Sequence, residues 1–127
     1  MRKAQVATTT EKRMTVKEFF EKVADYSDSI FQILATNEFK KQLSLSYRRN
    51  LDLRLLEEVV HTIAKGERLD AKYYPHQFHG YDAETWECHV KPDWLLVWQV
   101  YNGELTLILF QLGTHADLFG KDKKTRK

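Results

Sequence analysis

Four of the chain's five histidines, His76, His79, His89 and His115, fall in its last 52 residues, and Asp93 stands four residues beyond His89 across a Lys91-Pro92 bend. Imidazole titrates near neutral pH, so a pair of histidines supplies a general base and a general acid together. A carboxylate among them either fixes a histidine tautomer or, if burial raises its pKa, carries a proton itself. Other chemistries compete for the same residues. His76-x-x-His79 with His89, Asp93 and His115 offers a three-ligand metal set, but the spacing matches no zinc signature well. Cys88 sits beside His89, yet neighbours on a strand point to opposite faces, which makes Cys88 a core residue. There is no Gly-x-Ser-x-Gly elbow, no P-loop and no Gly-x-Gly-x-x-Gly, so a serine hydrolase and nucleotide binding lack support. His61 falls mid-helix beside an apolar stripe and reads as structural or exposed.

These residues must be held by a small scaffold. Thr15-Val-Lys-Glu18 has the form of a capping box, and Val16, Phe19, Phe20 and Val23 follow at helical spacing, predicting a short amphipathic helix over 15–25. It is expected to pack on its own domain; residues 1–13 show no apolar period and read as disordered. Ser29–Thr36 suits a strand. Asn37 can cap a helix running to about Arg49, and Asp52 another whose stripe is Leu53, Leu56, Val60 and Ile63, stopped by Gly66. Glu67–Asp82 reads as a loop and Thr85–Val90 as a strand. Leu95–Tyr101 and Glu104–Gln111 flank Asn102-Gly103, a hairpin signal because both turn residues accept positive φ. The order gives an α+β fold, a helical hairpin packed on one face of a twisted antiparallel sheet, with an extra N-terminal helix. The expected organisation is an extension over 1–29, one domain over 30–120 and a basic tail over 121–127.

The totals agree with one soluble domain: 127 residues, 43% hydrophobic, 30% charged, mean hydropathy −0.55. The apolar runs are strand-sized, no secretory signal is visible, and the single cysteine suits a reducing cytoplasm. The net charge of +2 is unevenly spread: residues 121–127 carry +4, 1–29 carry +1, and 30–120 are left at −3. Lys40, Lys41, Arg48, Arg49 and Arg54 lie on or between the two hairpin helices, either as a solvated face or as contacts to a phosphate backbone.

Three blocks then carry a resemblance. His76-Gln-Phe-His-Gly80, Trp86-Glu-Cys-His-Val-Lys-Pro-Asp-Trp94 and Leu112-Gly-Thr-His-Ala-Asp-Leu-Phe-Gly120 resemble the YafQ branch of the RelE/ParE toxin superfamily over about residues 30–120. Its members are ribosome-dependent mRNA interferases of toxin–antitoxin pairs. The resemblance implies catalytic roles for His76, His89, Asp93 and His115, and substrate contacts for Trp94, Phe119 and Lys91. Trp94 and Phe119 would stack on a splayed base or pack in the core. His79 has no counterpart. The implied reaction needs no metal or cofactor: the 2′-hydroxyl attacks the adjacent phosphorus, giving a 2′,3′-cyclic phosphate and a 5′-hydroxyl. The base would be His76 or His89, and the acid His115, or Asp93 if burial beside Trp94 raised its pKa. Implied partners are a cognate RelB/DinJ-like antitoxin, the ribosome and mRNA, with no membrane and no DNA by itself. Hairpin basic residues and the tail would meet ribosomal RNA.

Related toxins often carry an arginine where this chain has Trp86, and another where it has Gln111. Neither replacement supplies a charged fork for phosphate, so charge stabilisation would fall to a protonated histidine, to Lys91 or to the tail. Pro75 likewise replaces a common acidic residue before His76. A catalytically weak module that binds ribosome or antitoxin is the alternative; a ParE-like gyrase poison and a metal-dependent nuclease are further rivals.

Overall fold

The computed structural model describes residues 12–120; the tail, and the expected disordered arm up to residue 11, lie outside them. The elements are α1 (Val16–Ala24), β1 (Gln32–Ala35), α2 (Asn37–Arg48), α3 (Leu53–Ala64), β2 (His76–Phe78), β3 (Glu84–Lys91), β4 (Trp94–Tyr101) and β5 (Thr106–Gly113). The capping box of α1 forms as its sequence requires: Glu18 N–H donates to Thr15 Oγ1 and Thr15 N–H to Glu18 Oε1. Phe19 and Val23 reach the main core, where Phe19 packs against Phe39 of α2. Arg13, expected in the unstructured arm, instead lies over the Tyr47 ring, 3.8 Å from its centroid. The cap of α2 is Thr36 rather than Asn37: its hydroxyl accepts the Phe39 N–H. Asp52 caps α3. Gly66 follows α3 at φ +77, where a Cβ would also meet Ile30 Cδ1 at 2.6 Å.

The sheet order is β1-β5-β4-β3-β2. It is mixed, correcting the expectation of an antiparallel sheet: β1 runs parallel to β5, while the other neighbours are antiparallel. The cause is topological. The hairpin α2–α3 carries the chain from one sheet edge to the other, and the meander β2 to β5 returns beside β1 in the same direction. Asn102-Gly103 does make a reversal, but Tyr101 pairs with Thr106, so the loop is four residues long and the left-handed residue is Leu105, φ 50. The expected loop before β3 contains a short 3-10 turn, Ala71–Tyr73, and the three-residue strand β2.

Strand alternation divides the sheet into two faces. Cys88, Val90, Trp94, Leu96 and Trp98 join the core beneath α2 and α3. The intervening residues, Glu87 and His89 on β3 with their partners Val97 and Leu95 on β4, point the other way. A bulge at Phe110 shifts the β5 alternation, so that Leu107, Leu109 and then Leu112 meet the helices and Gln111 joins the row of Glu87 and Val97.

Candidate active site

The face away from the helices gathers the histidines. β2 pairs with β3 so that His76 lies opposite Glu87, and His76 Nε2 meets Glu87 Oε1 at 3.0 Å. His76 Nδ1 lies 3.0 Å from the Tyr74 carbonyl. A carbonyl only accepts, so Nδ1 carries a proton. The Nε2–Glu87 contact then needs one further proton, shared between imidazole and carboxyl. Glu87 is 4% exposed, and its Oε2 is buried without a hydrogen-bond partner among the described residues. Burial pushes its pKa up, opposed by the charges of His76, His89 and His115, all near enough to act on it. Glu87 is thus the centre of the cluster, and the sequence reading passed over it. The available signal was Glu87-x-His89, two residues apart on one strand and so on one face.

His89 lies half-buried on β3, its ring 5.7 Å from His115 and 5.7 Å from Tyr74. No described residue hydrogen-bonds its imidazole. His115 comes from the segment after β5. Pro92 and Asp93 form the turn of the β3–β4 hairpin, with Lys91 paired to Trp94, and this brings Asp93 to His115. Asp93 Oδ1 accepts the His115 backbone N–H at 2.8 Å and contacts its Nδ1 at 2.6 Å. Asp93 is an exposed carboxylate, 63% accessible, and the backbone bond from His115, followed by the ring bond, holds its pKa below the usual range. Burial beside Trp94 does not occur. Asp93 therefore does not store a proton at neutral pH; it holds His115 by its backbone N–H and its Nδ1.

Phe119 lies on a closing π-turn, Ala116–Gly120, 6.4 Å from His115 and 6.4 Å from Phe78, and it is exposed enough to meet a ligand. Trp94 is not. It is 1% exposed and its Nε1 donates to Ser46 Oγ at 3.0 Å inside the core, which corrects the substrate-stacking expectation. Lys91 is exposed beside His89. His79 follows β2 without a described hydrogen bond, and Cys88 is core, with burial pushing its thiol up to about 12. His61 stacks on Tyr26 and meets Asp28 at 2.9 Å, away from the cluster.

The proposed metal set does not assemble: among the described residues no three His, Cys, Asp or Glu side chains converge as a metal site. Trp86 faces the helices and stacks on Trp98, 6.3 Å between centroids, whereas Gln111 shares the histidine face. Of the hairpin cations, all exposed, Arg54 is paired with Asp52 and Arg49 with Asp117; Lys40, Lys41 and Arg48 form no ion pair among the described residues. No helix of the described residues is long and apolar enough to cross a membrane.

A family model described as "Bacterial toxin of type II toxin-antitoxin system, YafQ" matches residues 31–120. The mRNA interferase toxin YafQ of Escherichia coli (strain K12) is 29% identical over 87 residues, 67% of this chain and 91% of that protein. A metal-bound toxin from Helicobacter pylori superposes with a TM-score of 0.66 at 39% identity, over 70% of this chain and 99% of the other. The E. coli DinJ–YafQ toxin–antitoxin complex gives a chain with a TM-score of 0.66 at 27% identity, over 72% and 99%. Helix α1 lies outside the matched segment.

Proposed function

The chain belongs to the YafQ family of bacterial toxins of type II toxin–antitoxin systems, and on that footing we propose that it is an endoribonuclease that cuts mRNA on the ribosome, without a metal, by attack of the 2′-hydroxyl on the neighbouring phosphorus. The observation that carries this reading is the convergence of His76, His89 and His115, from three separate stretches of chain, around the buried carboxyl of Glu87.

The ring nitrogens cover the proton movements. His89, with no described hydrogen-bond partner on its imidazole, takes the 2′ proton. His115, with Nδ1 held by Asp93, delivers a proton from Nε2 to the departing 5′ oxygen. The bond from phosphorus to the 5′ oxygen breaks as the bond from the 2′ oxygen forms, leaving a 2′,3′-cyclic phosphate and a 5′-hydroxyl. Charge on the phosphorane falls to the protonated His115 and to Lys91, since this face carries Gln111 where related toxins carry an arginine. Phe119 offers an exposed ring for a splayed base. An antitoxin encoded with the chain would restrain it, a reading supported by the relative solved with DinJ. Lys40, Lys41 and Arg48 are the hairpin cations left for ribosomal RNA.

The test is purified protein incubated with mRNA-programmed ribosomes, with cut ends mapped and their chemistry determined. Cyclic phosphate and 5′-hydroxyl ends are expected, formed equally by protein stripped with EDTA and desalted before it meets the ribosomes, and reduced roughly 10²–10⁴-fold by His115→Ala. 5′-Phosphate ends, or loss of cutting by the EDTA-stripped protein, would overturn the mechanism. No new ends at all would leave a module that binds ribosome or antitoxin only.

A further inference from the structure

The surface beside the cluster opens into a cavity of about 420 Å³ that the reaction described above touches through His89 at its wall. Its walls include Leu55, Tyr73, Tyr74 and Pro92, and its charged residues are Lys72 and Lys91. No carboxylate lines it, and among the described residues neither lysine forms an ion pair. The volume is that of a pocket for one small ligand, ~300–1,000 Å³.

Tyr74 gives the cavity its character. It adopts the left-handed backbone conformation, φ 50 and ψ 51, which a bulky side chain rarely takes. Two hydrogen bonds hold it there: its N–H donates to the Ala71 carbonyl, and its own carbonyl accepts from His76 Nδ1. The residue that orients His76 therefore also projects a ring into solvent. Tyr74 is 69% exposed, the most exposed large hydrophobic side chain among the described residues, and its ring lies 5.7 Å from His89. An exposed aromatic ring beside two lysines outside any described ion pair, Lys72 lying 5.1 Å over the Tyr73 ring, with no acid lining the cavity, suits a ligand with a flat face and a negative charge.

We propose that this cavity is the subsite for a nucleotide adjoining the scissile bond: its base stacks on Tyr74 and its phosphate lies between Lys72 and Lys91, while the scissile phosphate sits at His89 and His115. The subsite rests on the endoribonuclease reading and adds a determinant of sequence choice to it.

The probe is a 2′-O-methyl trinucleotide, which has no free 2′-hydroxyl and is not cut, titrated into the full chain by NMR. Shifts should concentrate at Tyr74, Lys72, Lys91 and His89. Tyr74→Asn, a residue that tolerates the left-handed backbone, should weaken binding about 10-fold, within what base stacking supplies, while Tyr74→Phe binds as the parent does. Each lysine changed to alanine should reduce the salt dependence of log affinity by about 0.7. On ribosome-bound mRNA, Tyr74→Asn should alter the choice of nucleotide beside the cut. Binding by Tyr74→Asn equal to the parent's, or shifts centred away from Tyr74, would overturn the subsite even if the parent chain cuts mRNA. Tyr74-dependent binding by a parent chain that cuts nothing would instead uphold the subsite and remove the endoribonuclease reading.

Discussion

The guanidinium of Arg49, at the C-terminal cap of α2, meets the Asp117 carboxylate with Nη1 2.8 Å from Oδ2. Asp117 Oδ2 also accepts the Thr114 N–H at 2.9 Å, and the Asp117 N–H donates to Thr114 Oγ1 at 3.0 Å. His115 is enclosed between these residues and Phe119 lies just beyond, so one ion pair ties the segment bearing both to the helical hairpin. Burial works to raise the Asp117 pKa, but the bonds from Arg49 and Thr114 outweigh it and hold it below the usual range. Arg49→Ala should cost little stability, at most about 1 kcal/mol for a partly exposed pair. Misplacement of His115 should nevertheless lower cleavage roughly 10- to 100-fold. Thermal melting and the rate on ribosome-bound mRNA separate the two effects, and Arg49→Lys, which lacks the planar fork, should recover only part of the rate. A loss no larger than that of Lys41→Ala would return Arg49 to the role of a ribosomal RNA contact.

Asp93→Asn keeps an oxygen for the His115 backbone N–H but removes the charge beside Nδ1. Cleavage at neutral pH should fall roughly 10- to 100-fold, as the protonated acid loses the negative charge beside Nδ1. The sign on stability follows from the direction of the shift. The folded-state pKa of Asp93 lies below its ordinary value, so its contribution is present above that value, ~3.9, and is lost as pH falls through the folded value. Denaturant unfolding of parent and variant should differ at pH 7, and the difference should shrink as pH falls below ~3.9. A difference that persists at the lower pH would mean the carboxylate charge is not what holds His115.

What could be read in the chain follows the range of the forces involved. Helix α3, the capping box at Thr15 and the separation of Cys88 from His89 rest on local spacing, and the structure reproduces them. Strand β2 has three residues, too few for an alternation to show, so His76 read as a loop histidine although its pairing opposite Glu87 places it. Glu87 drew no reading from the sequence because only the depth of the face around it reveals its burial. Trp94 fell just outside the strand expected over Leu95–Tyr101 because the β3–β4 turn is just Pro92-Asp93; one position of register puts the indole on the core face. The parallel pairing of β1 with β5 joins Gln32 to Thr106, a separation at which periodicity carries no signal.

Trp94 and Phe119 should part company under substitution. Trp94→Phe removes the indole N–H and leaves Ser46 Oγ buried without its donor, a loss of about 1–3 kcal/mol. Its cleavage rate per folded molecule should match the parent's. Phe119→Ala should do the reverse, lowering cleavage with little effect on melting. Equal melting temperatures for parent and Trp94→Phe would contradict the buried bond, and a rate loss at full folding would return Trp94 to the substrate.

Glu87→Gln should make the protein more stable and less active. The folded-state pKa of Glu87 is raised, first by burial, so the native state holds its proton at pH values where the unfolded chain has released it. Stability associated with this group is then fully present below the ordinary glutamate value, ~4.3, and declines as pH rises through the folded value. Glutamine has the same shape, can still bond His76 Nε2 and never ionises, so it escapes the decline. A gain of about 0.5–2 kcal/mol at pH 8, vanishing near pH 4, is expected from denaturant unfolding, in keeping with the trade between stability and activity at buried functional groups. The cost should appear in cleavage, because the proton shared with His76 is replaced by a fixed amide donor or acceptor. Repeating the unfolding series across pH is decisive: a gain independent of pH would point to packing, and a loss at every pH would mean that the ionised carboxylate stabilises the fold and the histidines surround an anion.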